Sequence, residues 1–201
     1  MSTRTAVHRK SLERREQIST RQRLLTAADE LFYAEGVNSV GIDRVIEHAG
    51  VAKASLYRIF GSKEELVTAY LRARHEDIAA ELRDAISRAP DPRARIMAVF
   101  DTQARWLRSR MYHGCAFARA SAEPAAGAQV QQATDDYRNF TLKLFTELAA
   151  QAGAGNSKLL GMQLQALYHA AATIGDRHRR QLITATRSAA TTLIDAAPAE
   201  G

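Results

Sequence analysis

The stretch Ile42-Asp-Arg-Val-Ile-Glu-His-Ala-Gly50-Val-Ala-Lys-Ala-Ser-Leu-Tyr-Arg-Ile-Phe60-Gly-Ser-Lys-Glu-Glu-Leu66 decides the reading of this chain. Ile42, Val45, Ile46 and Ala49 recur at the i, i+3, i+4, i+7 spacing of one helix face. Gly50 follows at once, and glycine readily takes the left-handed backbone that ends a helix. A second short helix fits 53–60, with Leu56, Ile59 and Phe60 turned inward. Two short helices about a glycine turn make a helix-turn-helix, which offers its second helix to a DNA major groove. The outward positions of that helix are Lys53, Ala54, Ser55, Tyr57 and Arg58. Small residues permit close approach, and the others supply donors for phosphates and base edges. A solvated helical hairpin is the plainer alternative. The brevity of both helices, the placement of Gly50 and the basic outer face favour DNA.

The flanking sequence extends this unit. A helix over 19–34 carries Leu24, Leu25, Ala28, Leu31 and Phe32 on one face and stops at Gly36. The predicted DNA-binding domain is therefore 19–61. Residues 1–18 contain Arg4, Arg9, Lys10, Arg14 and Arg15 against Glu13 and Glu16, and read as a mobile basic arm suited to tracking phosphates. Arg21 and Arg23 continue this basic run into the first helix.

After Gly61, Ser62-Lys-Glu-Glu65 is a capping box opening a long helix over 62–88. About 26 residues at 1.5 Å each give a rod of roughly 40 Å. Leu66, Ala69, Tyr70, Ala73, Asp77, Ala80, Leu82 and Ile86 fall on or near one side, and Pro90-Asp-Pro92 ends the helix. Further helices are expected over 93–110, 130–151, 157–174 and 177–196, the last with Asp176 as N-cap, and an apolar segment over 115–123. The fold class is all-α, with residues 62–201 forming a second helical domain.

Composition narrows the rest. The 201 residues are 46% apolar and carry a net charge of +6, which suits an anionic partner without identifying one. The lone cysteine, Cys115, excludes an internal disulfide and fits a reducing cytoplasm. No secretory leader, membrane span, phosphate-binding loop, dinucleotide fingerprint or metal-ligand spacing is evident, so no membrane partner, cofactor or metal is expected. His113 and Cys115 are too close in sequence for an easy nucleophile–base pair and lack a third orienting group, which argues against an enzyme.

The last two helices are unusually rich in apolar and small residues. Segment 157–174 has Leu159, Leu160, Met162, Leu164, Leu167 and Tyr168 around much of its circumference, and 177–196 offers Ala185, Ala189 and Ala190 for close approach. Together they are expected to form a homodimer interface, a four-helix bundle across a two-fold axis.

The motif residues resemble the TetR family of transcriptional regulators. The resemblance rests on Leu31-Phe32 with Gly36, on Ile42 through Phe60, and on Ser62-Lys63-Glu64-Glu65-Leu66, all within residues 21–68. It implies a homodimer that binds a palindromic operator on double-stranded DNA, usually as a repressor, and is released by a small-molecule effector in the C-terminal domain. It implies DNA contacts from Lys53, Tyr57 and Lys63, with Gly41 and Ile42 opening the first motif helix. Gly41 and Ala52 stand where the family often has hydroxyl residues. Effector contacts are expected from Trp106, Met111, His113, Phe117, Tyr137, Phe140 and Tyr168. Cys115 joins them as a thiol sensor if His113 and Arg119 lower its pKa; a small buried apolar role is the favoured alternative.

Overall fold

The computed structural model of the chain describes residues 20–124, 126–173 and 179–198. Nine α-helices form the regular structure of those residues: α1 (20–35), α2 (Ile42–Ala49), α3 (Lys53–Phe60), α4 (Lys63–Ser87), α5 (Pro92–Arg108), α6 (Ala116–Ser121), α7 (Ala128–Gln151), α8 (Ser157–Thr173) and α9 (Arg179–Ala196). The expected basic arm, and Gly175 and Asp176 before the last helix, lie outside the described residues.

Helices α1 to α3 close on one apolar cluster. Leu24, Ala28, Val40, Val45 and Leu56 are completely buried, with Phe32 and Phe60 nearly so. Each large side chain removed from water contributes roughly 1.5–3 kcal/mol, which is what holds three short helices together. Gly50 adopts φ 61°, ψ 44°, and its N–H bonds to the Glu47 carbonyl, so the turn between α2 and α3 is sharp. Arg23 of α1 donates to the Gly50 carbonyl at 2.7 Å and fixes that turn from outside.

Half of the expected capping box forms. The Ser62 hydroxyl accepts the Glu65 N–H at 3.1 Å. The Ser62 N–H is already bonded to the Phe60 carbonyl, so the Glu65 carboxylate does not return the bond. The buried side of α4 also differs from the expected one. Asp77 and Ala80 are exposed, while Val67, Leu71 and Ala79 are buried. The cause is neighbours on more than one side: α4 packs on α5 and α7 and carries Tyr70 against Phe32 of α1. Helix α5 begins at Pro92, with the Asp91 carboxylate accepting the Ala94 N–H at 2.8 Å, and it ends at Arg108.

The second domain is built around α7 and α8, its most extensive helix pair, with α5 and α9 completing the bundle. Gly161 makes the close α7–α8 approach possible, since a Cβ there would sit 2.8 Å from the backbone of Thr146. Leu164, Tyr168, Phe145 and Ala149 fill the seam. On the far side of α8, Leu159 and Met162 are half exposed.

Candidate nucleic-acid interface and interior cavity

The outer surface of the three-helix head collects the residues singled out for DNA. Lys53, Ala54, Tyr57 and Arg58 are exposed on α3, and Ser55 is half-buried. Tyr57 is 45% exposed although Leu56 beside it is fully buried, so the ring is displayed rather than packed. An eight-residue helix is about 12 Å long and fits a major groove about 12 Å wide. Gly41 caps α2 with backbone alone, at φ −73°, ψ 153°, with no side-chain bond, and Ile42 is half-buried beneath it. An N-terminus so exposed directs N–H groups toward an anion.

Electrostatics tune individual cations in this surface. Asp43 hydrogen-bonds Lys53 at 2.7 Å and raises its pKa, so the ammonium stays charged. The pair is solvent-exposed and weak, and a phosphate can take the ammonium from it. Arg44 is committed to Glu35 and His48 to Glu30, at 2.6 Å. Arg21 lies over the Phe60 ring at 5.2 Å, at the end of α3. Lys63 folds back over the Phe32 ring at 6.0 Å, where partial burial lowers its pKa and Glu123 draws it upward. It is the one named cation that faces inward.

A cavity of about 290 Å³ opens between α4, α5, the 109–115 segment, α7 and α8. Trp106, Met111, Cys115, Phe117, Tyr137 and Tyr168, all named from sequence, line it. Two others do not. Phe140 turns toward α4, 4.9 Å from His75 and within cation–π reach of Arg83. The His113 ring is exposed and meets Tyr33 edge-on at 5.3 Å.

The sequence reading missed Tyr33, Arg74, Asp77, Glu81, Gln103 and Tyr112 of the wall. One signal was present: Asp77 is a carboxylate among the otherwise apolar residues that periodicity places on one side of α4. Arg74 is bidentate to Asp29 of α1, at 2.5 and 3.1 Å, and stacks 3.5 Å over Tyr33. Glu81 accepts the Trp106 indole N–H at 2.8 Å and is paired with Arg105. The buried Gln103 amide donates to the Tyr168 carbonyl, and the Tyr137 and Tyr168 hydroxyls share a 3.1 Å hydrogen bond.

Cys115 does not have the environment expected of a sensor thiol. Burial pushes its pKa up, outweighing backbone hydrogen bonds and the distant arginines Arg138 and Arg74. Arg119 is engaged elsewhere, donating to the carbonyls of Tyr33 at 2.6 Å and His113 at 3.0 Å. His113 uses its ring against Tyr33. The alternative in which His113 and Arg119 activate the thiol is therefore not supported, because a buried neutral thiol is a poor nucleophile.

Tyr33 joins the two sites. It belongs to α1 of the head and to the cavity wall. Its hydroxyl accepts the His113 N–H at 3.2 Å, and its carbonyl accepts from Arg119. Among the described residues no group of three or more His, Cys, Asp or Glu could hold a metal, and no helix is long and apolar enough to cross a membrane.

Comparison with known proteins agrees with this architecture. The profile of bacterial regulatory proteins of the tetR family matches residues 24–70, the whole helix-turn-helix and the start of α4. The transcriptional activator FasR of Mycolicibacterium smegmatis is 32% identical over 117 residues, 57% of this chain and 53% of that protein. The chain spans about half the length of the curated relatives it first matches. The structural likeness runs further. A putative TetR transcriptional regulator of Streptomyces avermitilis superposes with a TM-score of 0.72 at 29% identity, covering 89% of this chain and 97% of that one. SCO4454, a TetR-family regulator of Streptomyces coelicolor, is 31% identical with a TM-score of 0.81, over 88% of this chain and 95% of that one. An all-α fold and 31% identity to a TetR-family regulator over 88% of this chain establish that it belongs to the TetR family of helix-turn-helix transcriptional regulators.

Proposed function

We propose that the protein is a cytoplasmic, non-catalytic repressor that binds a palindromic operator as a homodimer and is released by a small molecule occupying the 290 Å³ cavity. The observation that carries this reading is Tyr33, a residue of the DNA-binding head that is also part of the cavity wall. An occupant that displaces the 109–115 segment alters the bonds holding the C-terminal end of α1. Asp29 and Arg74 make a second tie between α1 and α4 near the same point. Ligand binding shifts the head only through its difference in affinity between the DNA-fitting and non-fitting arrangements.

In this reading Lys53, Tyr57 and Arg58 of each protomer enter successive major grooves about 34–36 Å apart, with Arg21 and the Gly41–Ile42 backbone on phosphates. Lys63 reaches a phosphate only by leaving the Phe32 ring. The homodimer forms through α8 and α9. Leu159, Met162, Ala166 and Ala170 make an outward stripe on α8, and Ala185 and Ser188 stand outward on α9. Such a stripe of apolar and small residues suits a two-fold helix bundle.

The test is selection of a preferred duplex from random DNA, followed by transcription in vitro from a promoter carrying it. Repression by two protomers per two-fold symmetric site is expected. Increased transcription, the mode named for FasR, would overturn the repressor assignment while leaving the operator reading intact.

A further inference from the structure

We infer that the cavity takes a ligand carrying an aromatic ring and one positive charge, an arylalkyl ammonium, with Asp77 as its counter-charge. This deepens the effector reading above and rests on it.

The wall concentrates aromatic surface. The chain has thirteen aromatic residues (six Phe, six Tyr, one Trp), and six of them line this cavity: Tyr33, Trp106, Tyr112, Phe117, Tyr137 and Tyr168. Phe117 and Tyr137 stack in parallel, with centroids 4.0 Å apart, and give one side a flat face. The tyrosine hydroxyls are already engaged. Tyr33 accepts from the His113 N–H, Tyr112 donates to the Ala172 carbonyl, and Tyr137 and Tyr168 bond each other. Beside what hydroxyl capacity is left over, these side chains offer an occupant ring surface, whose negative face attracts cations. Arg74, held 3.5 Å over Tyr33, shows a cation already resting on such a face within the wall.

The charges of the wall decide the sign. Arg74 is neutralised by the bidentate Asp29 carboxylate. Glu81 is paired with Arg105 and bonded to Trp106. Asp77 lines the cavity with no hydrogen bond or ion pair to any described residue. One uncompensated carboxylate therefore remains, in a protein whose net charge is +6. An anionic ligand would meet Asp77 with Arg74 already committed. A neutral ligand would leave Asp77 to water at the rim and gain nothing from its charge. An ammonium satisfies the carboxylate and the ring faces together. Met111, 73% exposed, adds a flexible apolar rim for the ring portion.

The experiment is calorimetric titration of the full chain at pH 7 with three probes of one shape: naphthylmethylamine, naphthylmethanol and naphthoic acid. The amine should bind about ten-fold tighter than the alcohol, and the acid weakest. Asp77→Asn, a change at an exposed position, should bring the amine down to the alcohol and leave the alcohol unchanged. An alcohol or acid that binds as well as the amine, or an amine preference that survives Asp77→Asn, overturns the charge assignment but leaves the cavity as an effector site. Failure of all three probes, in protein that still binds its selected duplex, removes the cavity from the effector role and this inference with it.

Discussion

The head and the cavity are built in opposite ways. Most of the head's functional face comes from one contiguous stretch on α2 and α3, with Arg21 added from α1 and Lys63 from the start of α4. The cavity takes wall residues from α1, α4, α5, the 109–115 segment, α6, α7 and α8. A surface made by local helical spacing is set once the helices form. A surface made by seven elements exists only when the whole bundle has packed, so it is the more easily perturbed. Tyr33 is where the robust site touches the sensitive one.

Substitutions can separate the two. The largest expected effect is on the bundle. Gly161→Val drives a branched side chain into the Thr146 backbone and should cost about 3 kcal/mol, read as a lower midpoint in denaturant. A midpoint within a few tenths of wild type would mean that α7 and α8 do not approach as closely as described. Next comes the junction. Arg119→Ala removes two charged hydrogen bonds, one of them to the last turn of α1, and should cost about 2 kcal/mol. It should also change operator affinity, although Arg119 is on α6; unchanged affinity would break the proposed link between cavity and head.

The head itself gives the cleanest contrast. Tyr57→Ala should lower operator affinity about 10-fold or more while moving the thermal midpoint little, because the ring is nearly half exposed. If the midpoint falls with the affinity, Tyr57 belongs to the core of the head instead.

A pH dependence sharpens the bundle side of the comparison. Burial lowers the pKa of His169, whose Nε2 is 3.0 Å from the Thr141 hydroxyl, and of His75, wedged against Tyr137 and Phe140. The folded state therefore resists protonation more than the unfolded chain. Stability is full above the ordinary histidine pKa of about 6.5 and is lost as pH falls through that value toward the depressed folded ones. Denaturant midpoints at pH 7.5, 6.5 and 5.5 should decline in that order, and His169→Gln should flatten the decline. The smallest effect is at the head: Gly41→Ser adds a helix cap where a Cβ meets nothing within 4 Å, and should raise stability by about 0.5 kcal/mol.

Legibility in the sequence follows the same division. Helix α2, its glycine turn and α3 could be read because period, stop signal and outward face are all local. The long α4 could be read for the same reason, but its buried side could not. Asp77 was placed inward by periodicity, yet α4 meets α5 and α7 on more than one side and exposes it at the cavity rim. Among the aromatic candidates, Tyr137 and Phe140 are one turn apart and equally suggestive. Tyr137 faces Phe117 while Phe140 faces His75, a difference set by the rotation of α7 against α4. Tyr33 read only as part of the head because its contacts with His113 and Arg119 span 80 residues or more. The activated-thiol alternative for Cys115 rested on basic residues that flank it in sequence; in space they point to Tyr33 and to carbonyls.

The measurement that tests the central claim most directly is titration of the full chain with its selected duplex over a range of salt, beside a scrambled duplex. The account predicts one dimer per two-fold site, at least 1,000-fold preference over the scrambled sequence as is usual for specific binders, and affinity falling linearly in log–log form as several phosphates are neutralised. Equal affinity for both duplexes, or affinity indifferent to salt, would contradict it.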